Sequence, residues 1–336
     1  PVWQGDDRTS RRDANHNVSM SKPGITPTKW QPPTPVGKPP AYNLPELHIL
    51  PVPGAGPEDA LFVDDAIYTG LEDGRIVKVS LDGWQIEVVA DTQGRPLGLE
   101  QHPQGVLICD AEKGLLLLGA DGLTTLVGKG EHGLRVCNNA AVAPDGTVYF
   151  TDSSQRFDLE HWTADIIEHS GTGRLLRRTP DGTVDVLVEG LQFANGVALT
   201  DDFVAVAQTG LYCVDRVWLA DGRHEPWIMN LPAFPDNIAE GDDGLVWVTM
   251  ASARKPALDK TAGQPFLRKI IWALPEALHP KPDNLVWVRA YDTDGNVVHE
   301  FCGEHDQFYM CTGVRARGGK VAMGSLNTTA LAWFDV

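Results

Sequence analysis

The chain has 336 residues, 42% of them hydrophobic, enough to bury one large all-β core or two ordinary ones. Its formal net charge of −17 excludes nucleic acid and anionic membrane surfaces as natural partners, because both would repel it. No run of about 18 apolar residues occurs, so no membrane span is expected.

Five cysteines, with no Cys-x-x-Cys pair, read as reduced or buried thiols. Cys302 and Cys311 are the one close pair, and a disulfide between them is left open. No apolar segment follows a basic start, so the expected location is cytoplasmic, with periplasmic or secreted placement as the alternative.

Residues 1–43 are rich in Pro, Ser, Thr, Asn and charge, with seven prolines between Lys22 and Pro40. This is an extended Pro-rich arm without a core of its own, expected to wrap over the domain or to join a second copy in a homo-oligomer. From Leu44 to Val336 the texture changes to strand-like runs punctuated by Asp-Gly, the pair that suits tight hairpins. Ala66–Thr69, Ile76–Ser80 and Gln85–Ala90 form the first such group. Val106–Cys109, Gly114–Gly119 and Thr124–Val127 form the second, and Thr147–Thr151, Arg174–Arg178 and Val184–Val188 the third. Val204–Gln208, Tyr212–Leu219 and Trp227–Asn230 follow. The fifth holds Leu245–Met250, Val286–Ala290 and Val297–Phe301, interrupted by an insert, Leu258–Pro282. There Leu267, Ile270, Ile271, Leu274 and Leu278 have helical spacing, which predicts a helix capping the domain by that apolar stripe. The sixth group, Lys320–Gly324 and Ala330–Val336, lacks an outer strand, and Glu46–Val52 is expected to supply it.

Each group opens on a similar lead-in: Gly56–Leu61, Gly94–Leu99, Val136–Ala141, Phe193–Ala198, Phe234–Ala239 and Met310–Arg315. Six copies of about 48 residues are of propeller-blade size. The expected fold is therefore all-β, a six-bladed β-propeller over residues 44–336. A β-sandwich would leave the six equivalent lead-ins unexplained.

In a propeller the inner strands line a central channel, so a polar lead-in residue faces a common axis. Those positions hold Glu58, Leu97, Asn138 or Asn139, Asn195, Asp236 with Asn237, and Thr312. Any one of the Asn-Gly or Asp-Asn pairs alone would read as an ordinary turn. Together they form an all-oxygen shell, which suits Ca2+ and less specifically Mg2+ or Mn2+. Zn2+ would prefer imidazole or thiolate. No Gly-x-Ser-x-Gly elbow, His-Glu-x-x-His or Walker loop is present. Gly128, Gly130 and Gly133 fit Gly-x-Gly-x-x-Gly, but no helical pattern follows them, so they read as a blade connection.

The motifs Arg95-Pro96-Leu97-Gly98, Cys109-Asp110-Ala111, Tyr149-Phe150-Thr151-Asp152-Ser153-Ser154, Gly173-Arg174-Leu175-Leu176, Phe193-Ala194-Asn195-Gly196-Val197 and Phe234-Pro235-Asp236-Asn237-Ile238 resemble those of the strictosidine synthase-like proteins. The likeness is greatest to the adipocyte plasma membrane-associated protein branch and runs from about Leu44 to Val336. It implies a six-bladed propeller within a superfamily that includes paraoxonases and gluconolactonases, which hold a divalent ion in the channel. It implies Glu58, Asn138, Asn195 and Asp236 as ligands, with Asn237 beside them. Three departures stand out. Asn138-Asn139 replaces the Asn-Asp of the paraoxonase-like motif. Leu97 stands where paraoxonases have a catalytic His. Thr312 stands where strictosidine synthase has its catalytic Glu, which argues against a Pictet–Spengler condensation.

The expected function is calcium-dependent hydrolysis of a small-molecule lactone or ester. The cation would polarise the carbonyl, and Asp236 or a histidine of the third-blade insert, His161 or His169, would act as base. Leu97, Asn139 and Thr312 are expected beside the substrate. The competing class is a non-catalytic ligand- or protein-binding propeller with a structural metal.

Overall fold

Short runs that alternate with glycine turns pair with their sequence neighbours. In the computed structural model they build six four-stranded antiparallel sheets arranged as propeller blades. The structure describes residues 22–36, 42–275, 278–279 and 281–336. In six Asp-Gly turns, at Gly74, Gly83, Gly122, Gly182, Gly222 and Gly295, the glycine takes a φ between 71° and 102°, which a side chain would strain.

The blades follow chain order. Blade one is Leu61–Val63, Ala66–Gly70, Arg75–Ser80 and Ile86–Asp91. Blade two is Pro96–His102, Gly105–Asp110, Gly114–Gly119 and Gly122–Gly128. Blade three is Cys137–Val142, Val148–Asp152, Gly173–Arg178 and Val184–Leu191. Blade four is Ala194–Leu199, Phe203–Gln208, Cys213–Trp218 and His224–Ile228. Blade five is Ala233–Glu240, Val246–Ala253, Val286–Tyr291 and Val297–Gly303. Blade six takes Cys311–Arg317, Lys320–Ser325 and Ala330–Asp335 from the end of the chain. Its outer strand, His48–Pro51, comes from the beginning. His48 lies opposite Trp333 and Leu50 opposite Leu331, the closure that the short sixth group predicts. The closed ring leaves no inner sheet edge open to another chain.

The core lies between blades. Leu50, Phe62, Ile67, Val77 and Leu331 pack where blade six meets blade one. Leu107, Leu115, Phe150 and Leu176 do the same for blades two and three. Each such side chain contributes about 1.5–3 kcal/mol on burial. All five cysteines are buried and free, so Cys302 and Cys311 are not bonded.

Each inner strand runs away from its lead-in and the second strand returns. Connections between second and third strands therefore emerge on the face that carries the lead-ins, the mouth. In blade three this connection holds helix α1, Trp162–Glu168. In blade five it holds α2, Pro256–Thr261, and α3, Pro265–Ala273.

Of the apolar stripe expected to seat the fifth-blade helix, only Ile271 packs against the cluster beneath it. Leu267, Ile270 and Leu278 are exposed, whereas Arg268 and Trp272 are buried. Leu274 is already extended, as the residue before Pro275 must be. The face that buries is set by what lies against it. Trp272 Nε1 donates to Pro23 O at 2.8 Å, and Arg268 Nη2 reaches Ile166 O of α1 at 3.4 Å.

The described part of the arm, residues 22–36, has no helix or strand and borrows its core from these helices. Ile25 packs among Phe157, Ala164, Ile167, Leu258 and Trp272. Thr26 N donates to Glu168 Oε2 at 2.6 Å and Thr28 N to Glu168 O at 2.9 Å. The expected arm residues 1–21 and 37–41 lie outside the described residues.

Candidate metal centre

The lead-in residues reach the axis because the inner strands are irregular there. Register shifts fall between Pro96 and Leu99, Cys137 and Ala140, Ala194 and Val197, Pro235 and Ile238, and Cys311 and Val314. Each shift spans two residues, and these are the lead-in pairs, polar or small at every position but Leu97. A bulge re-aims side chains that the pleat would otherwise alternate.

Within each pair the second residue alternates around the ring. Blades one, three and five carry Asp59, Asn139 and Asn237; blades two, four and six carry Gly98, Gly196 and Gly313. A Cβ on Gly98 would lie 2.5 Å from Asn139 Nδ2. One on Gly196 would lie 2.2 Å from Ile238 N, and one on Gly313 2.5 Å from Asp59 Cα. The Asx side chains tie neighbouring blades together. Asp59 Oδ2 accepts from Leu99 N, and Asn139 Oδ1 from Val197 N, both at 2.9 Å.

Asn139 is thus fully buried and its amide oxygen is used in the frame. Thr312 is equally buried, its Oγ1 donating to Glu58 O at 2.7 Å. Leu97, also buried, packs with Ala111, Val136 and Leu159.

Two first residues, Asn138 and Asn195, and one second residue, Asn237, behave differently. Asn138 Nδ2 donates to Ser153 Oγ at 2.9 Å, Asn195 Nδ2 to Thr209 Oγ1 at 3.1 Å, and Asn237 Nδ2 to Glu58 Oε1 at 2.9 Å. With the NH2 groups engaged, the oxygens Asn138 Oδ1, Asn195 Oδ1, Asn237 Oδ1 and Glu58 Oε2 are buried without a partner. Orphaned buried acceptors are costly and call for an explanation. Ser153 and Thr209 act as orienting residues here, and the sequence reading missed them.

The family motifs also do structural work around this shell. Asp152 Oδ1 accepts from Val136 N at 2.8 Å and Asp110 Oδ1 from Arg95 N at 3.0 Å, fixing the third and second lead-ins.

Charge points the same way. Burial raises the Glu58 carboxyl well above its usual range, and Asp236 and Asp59 add to this against Arg95. Burial pushes Asp236 up to about 7, opposed by a hydrogen bond from Asn195. Deeper in, Arg315 pairs with Asp59 at 3.3 Å and with Glu100 at 3.3 Å, a built-in cation for that second acidic pair. Glu58 and Asp236 have no comparable partner. Among the described residues no three groups drawn from His, Cys, Asp and Glu form a metal cluster. A cation at this place would therefore depend on the amide oxygens. All-oxygen, mixed carboxylate and amide donors fit Ca2+ better than Zn2+.

The two candidate histidines lie at the mouth. His161 is half-buried and edge-on to Trp272, with ring centroids 6.4 Å apart. His169 is buried and stacked on Trp30 of the arm at 4.0 Å. Burial, with Arg268 nearby, lowers it to about 3.

Among the described residues no helix is long and apolar enough to cross a membrane. Residues 138–222 match the strictosidine synthase family model, and residues 42–79 the model for the N-terminal part of strictosidine synthase-like proteins. Protein STRICTOSIDINE SYNTHASE-LIKE 6 of Arabidopsis thaliana is 35% identical over 286 residues, covering 80% of this chain and 76% of that protein. The human adipocyte plasma membrane-associated protein is 34% identical over 255 residues, covering 65% of this chain and 60% of that protein. Two solved structures share the fold at low identity. A gluconolactonase from Xanthomonas campestris has a TM-score of 0.61 at 15% identity, over 94% of this chain and 98% of its own. Regucalcin from Agrobacterium tumefaciens, a calcium-binding protein, has a TM-score of 0.60 at 14% identity, over 87% and 94%. The chain belongs to the strictosidine synthase-like family.

Proposed function

We propose that the channel mouth binds a calcium ion and hydrolyses a small lactone or ester. The observation that carries this is the set of four orphaned buried oxygens, on Glu58, Asn138, Asn195 and Asn237, beside the Asp236 carboxylate. Those five residues would hold the ion, which when bound supplies a Lewis acid for the carbonyl oxygen.

The protein's own groups do the rest. Ser153 and Thr209 keep the amide oxygens pointed at the site. Glu58 has one oxygen taken by Asn237. Asp236 is the other channel carboxylate and is assigned as the base that takes a proton from the attacking water. His169 at about 3 is a weak base at neutral pH, and His161 is the reserve at the mouth. Leu97 offers the apolar wall.

The test is a lactone and aryl-ester panel with calcium or with chelator. Turnover is expected only with calcium, and Asp236→Asn is expected to lower it on the order of 10²–10³-fold. Background rates throughout, with calcium bound, would leave a non-catalytic binding propeller. That second reading draws on depth: Glu58 is 2% exposed and Asn195 3%, beneath helices and arm.

A further inference from the structure

A second group of unsatisfied polar atoms lies at the mouth, outside the metal shell. Arg268 is 1% exposed, yet its Nε and Nη1 have no partner. Arg254 is 9% exposed and its Nη2 has none. The indole Nε1 of Trp30 is likewise buried and unpaired. Together these atoms carry six N–H bonds.

The residues are mutual neighbours. The Arg254 guanidinium lies 4.0 Å over the Tyr212 ring, and that of Arg268 lies 6.0 Å from the Trp30 ring. Trp30 and Tyr212 are 6.1 Å apart. Tyr212 in turn meets Phe234 at 4.9 Å. Phe234 precedes Asp236 by two residues, about 7 Å along a strand, so the group borders the proposed metal centre.

The acceptors present do not match these donors. Arg254 Nε donates to Leu231 O at 2.7 Å and Nη1 to Pro33 O at 2.6 Å. Among the described residues, Asp259 is the one carboxylate facing the pair. It lies 3.9 Å from Arg254 and accepts from the Tyr212 hydroxyl at 2.9 Å. Glu168 on α1 is spent on Arg156 and Thr26 N. Among the described residues one positive charge is left over. A buried guanidinium with idle donors is costly unless something supplies acceptors. A water brings two lone pairs and no charge, whereas a carboxylate brings about four acceptor sites and the missing charge.

We propose that Arg254, Arg268 and the Trp30 indole form a subsite for the carboxylate of a small organic acid at the channel mouth. The arm closes the subsite from above, since Trp30 and Pro33 both belong to it. This gives the hydrolase reading, on which the next statement rests, a substrate class: a lactone or ester that carries a free carboxylate besides the reacting carbonyl. Arg fits a planar carboxylate better than Lys would.

Binding and turnover are tested separately on the full chain. Calorimetry with succinate is expected to show binding, and its neutral dimethyl ester to bind at least about tenfold more weakly, the usual scale of a charge-assisted contact. Arg268→Met is expected to weaken succinate about tenfold; it also removes the 3.4 Å bond to Ile166 O, so affinities are compared at a temperature where thermal melts show both proteins fully folded. Trp30→Phe keeps the stack on His169 and removes only the indole donor, and is expected to weaken succinate as well.

Equal binding of acid and diester, no binding at about 10 mM succinate, or wild-type affinity in Arg268→Met would overturn the subsite. Sulfate binding as tightly as succinate would overturn the carboxylate assignment in favour of inorganic anions. For turnover, 5-oxotetrahydrofuran-2-carboxylate is compared with γ-butyrolactone. A lower KM for the carboxylated lactone, lost in Arg268→Met, supports the substrate class, and equal KM values refute it. If succinate binds as expected while neither lactone is hydrolysed, the subsite stands and the hydrolase reading falls.

Discussion

Replacing Asp236 by Asn is expected to stabilise the metal-free protein while destroying its response to calcium. Asp236 is buried beside Glu58, and its carboxyl is raised to about 7 from an ordinary value of 3.8. A carboxyl raised on folding holds its proton in the native state at pH values where the unfolded chain has released it. Its contribution to stability is complete below about 4 and is lost as pH rises through about 7. Roughly three units at 1.36 kcal/mol each give on the order of 4 kcal/mol. That is a large part of the 5–15 kcal/mol typical of a folded domain. Asn cannot ionise, so the variant escapes the loss.

The assay is urea unfolding in chelator at several pH values, repeated with excess calcium. At pH 8 in chelator the variant is expected to exceed the wild type by up to about 4 kcal/mol, with the gap closing toward pH 4. Calcium is expected to raise the wild type strongly at pH 8, weakly at pH 5, and the variant little at either. A variant less stable than wild type at pH 8 in chelator would refute the argument. So would equal stabilisation of both proteins by calcium.

Thr209→Val is expected to free the Asn195 amide, which Thr209 Oγ1 now orients, and to lower calcium affinity about 10–100-fold, read by calorimetry. Gly196→Ala would place a Cβ 2.2 Å from Ile238 N, against backbone that cannot yield locally; a fall in stability of about 3 kcal/mol or more is expected from thermal melts.

The fold was legible because its signals are local. Asp-Gly turns and short strand runs sit within a few residues of each other, and six similar lead-ins impose a ring. The short sixth group even located the closing strand. The ligand candidates were legible as repeats of one position. What they bond to was not. Ser153 and Thr209 belong to segments 14–15 residues further on; Ser153 stands in a family motif, but nothing in the local pattern of either shows that it holds an amide. The alternation of Asp59, Asn139 and Asn237 with Gly98, Gly196 and Gly313 was visible as letters. Its meaning needs the distance between blades. The buried face of the fifth-blade helix was only partly legible, through Ile271, for a related reason. Periodicity counts apolar residues, whereas the arm and α1 select the Arg268–Trp272 face. The donor group at the mouth is less legible still, since it draws on the arm, blade four and the fifth-blade insert.

The joint made by His48–Pro51 against Ala330–Asp335 gives the two directions of the polypeptide opposite destinations. As the third strand of its blade, Ala330–Asp335 descends, so Val336 points out of the face opposite the mouth. The stretch before His48 climbs instead past Cys302, where Asn43 is hydrogen-bonded, and reaches the helices over the mouth by Lys22. Val336 therefore lies on the face away from the channel, whereas Lys22 lies beside the entrance, and a tether attached at Lys22 itself would set which way the entrance looks.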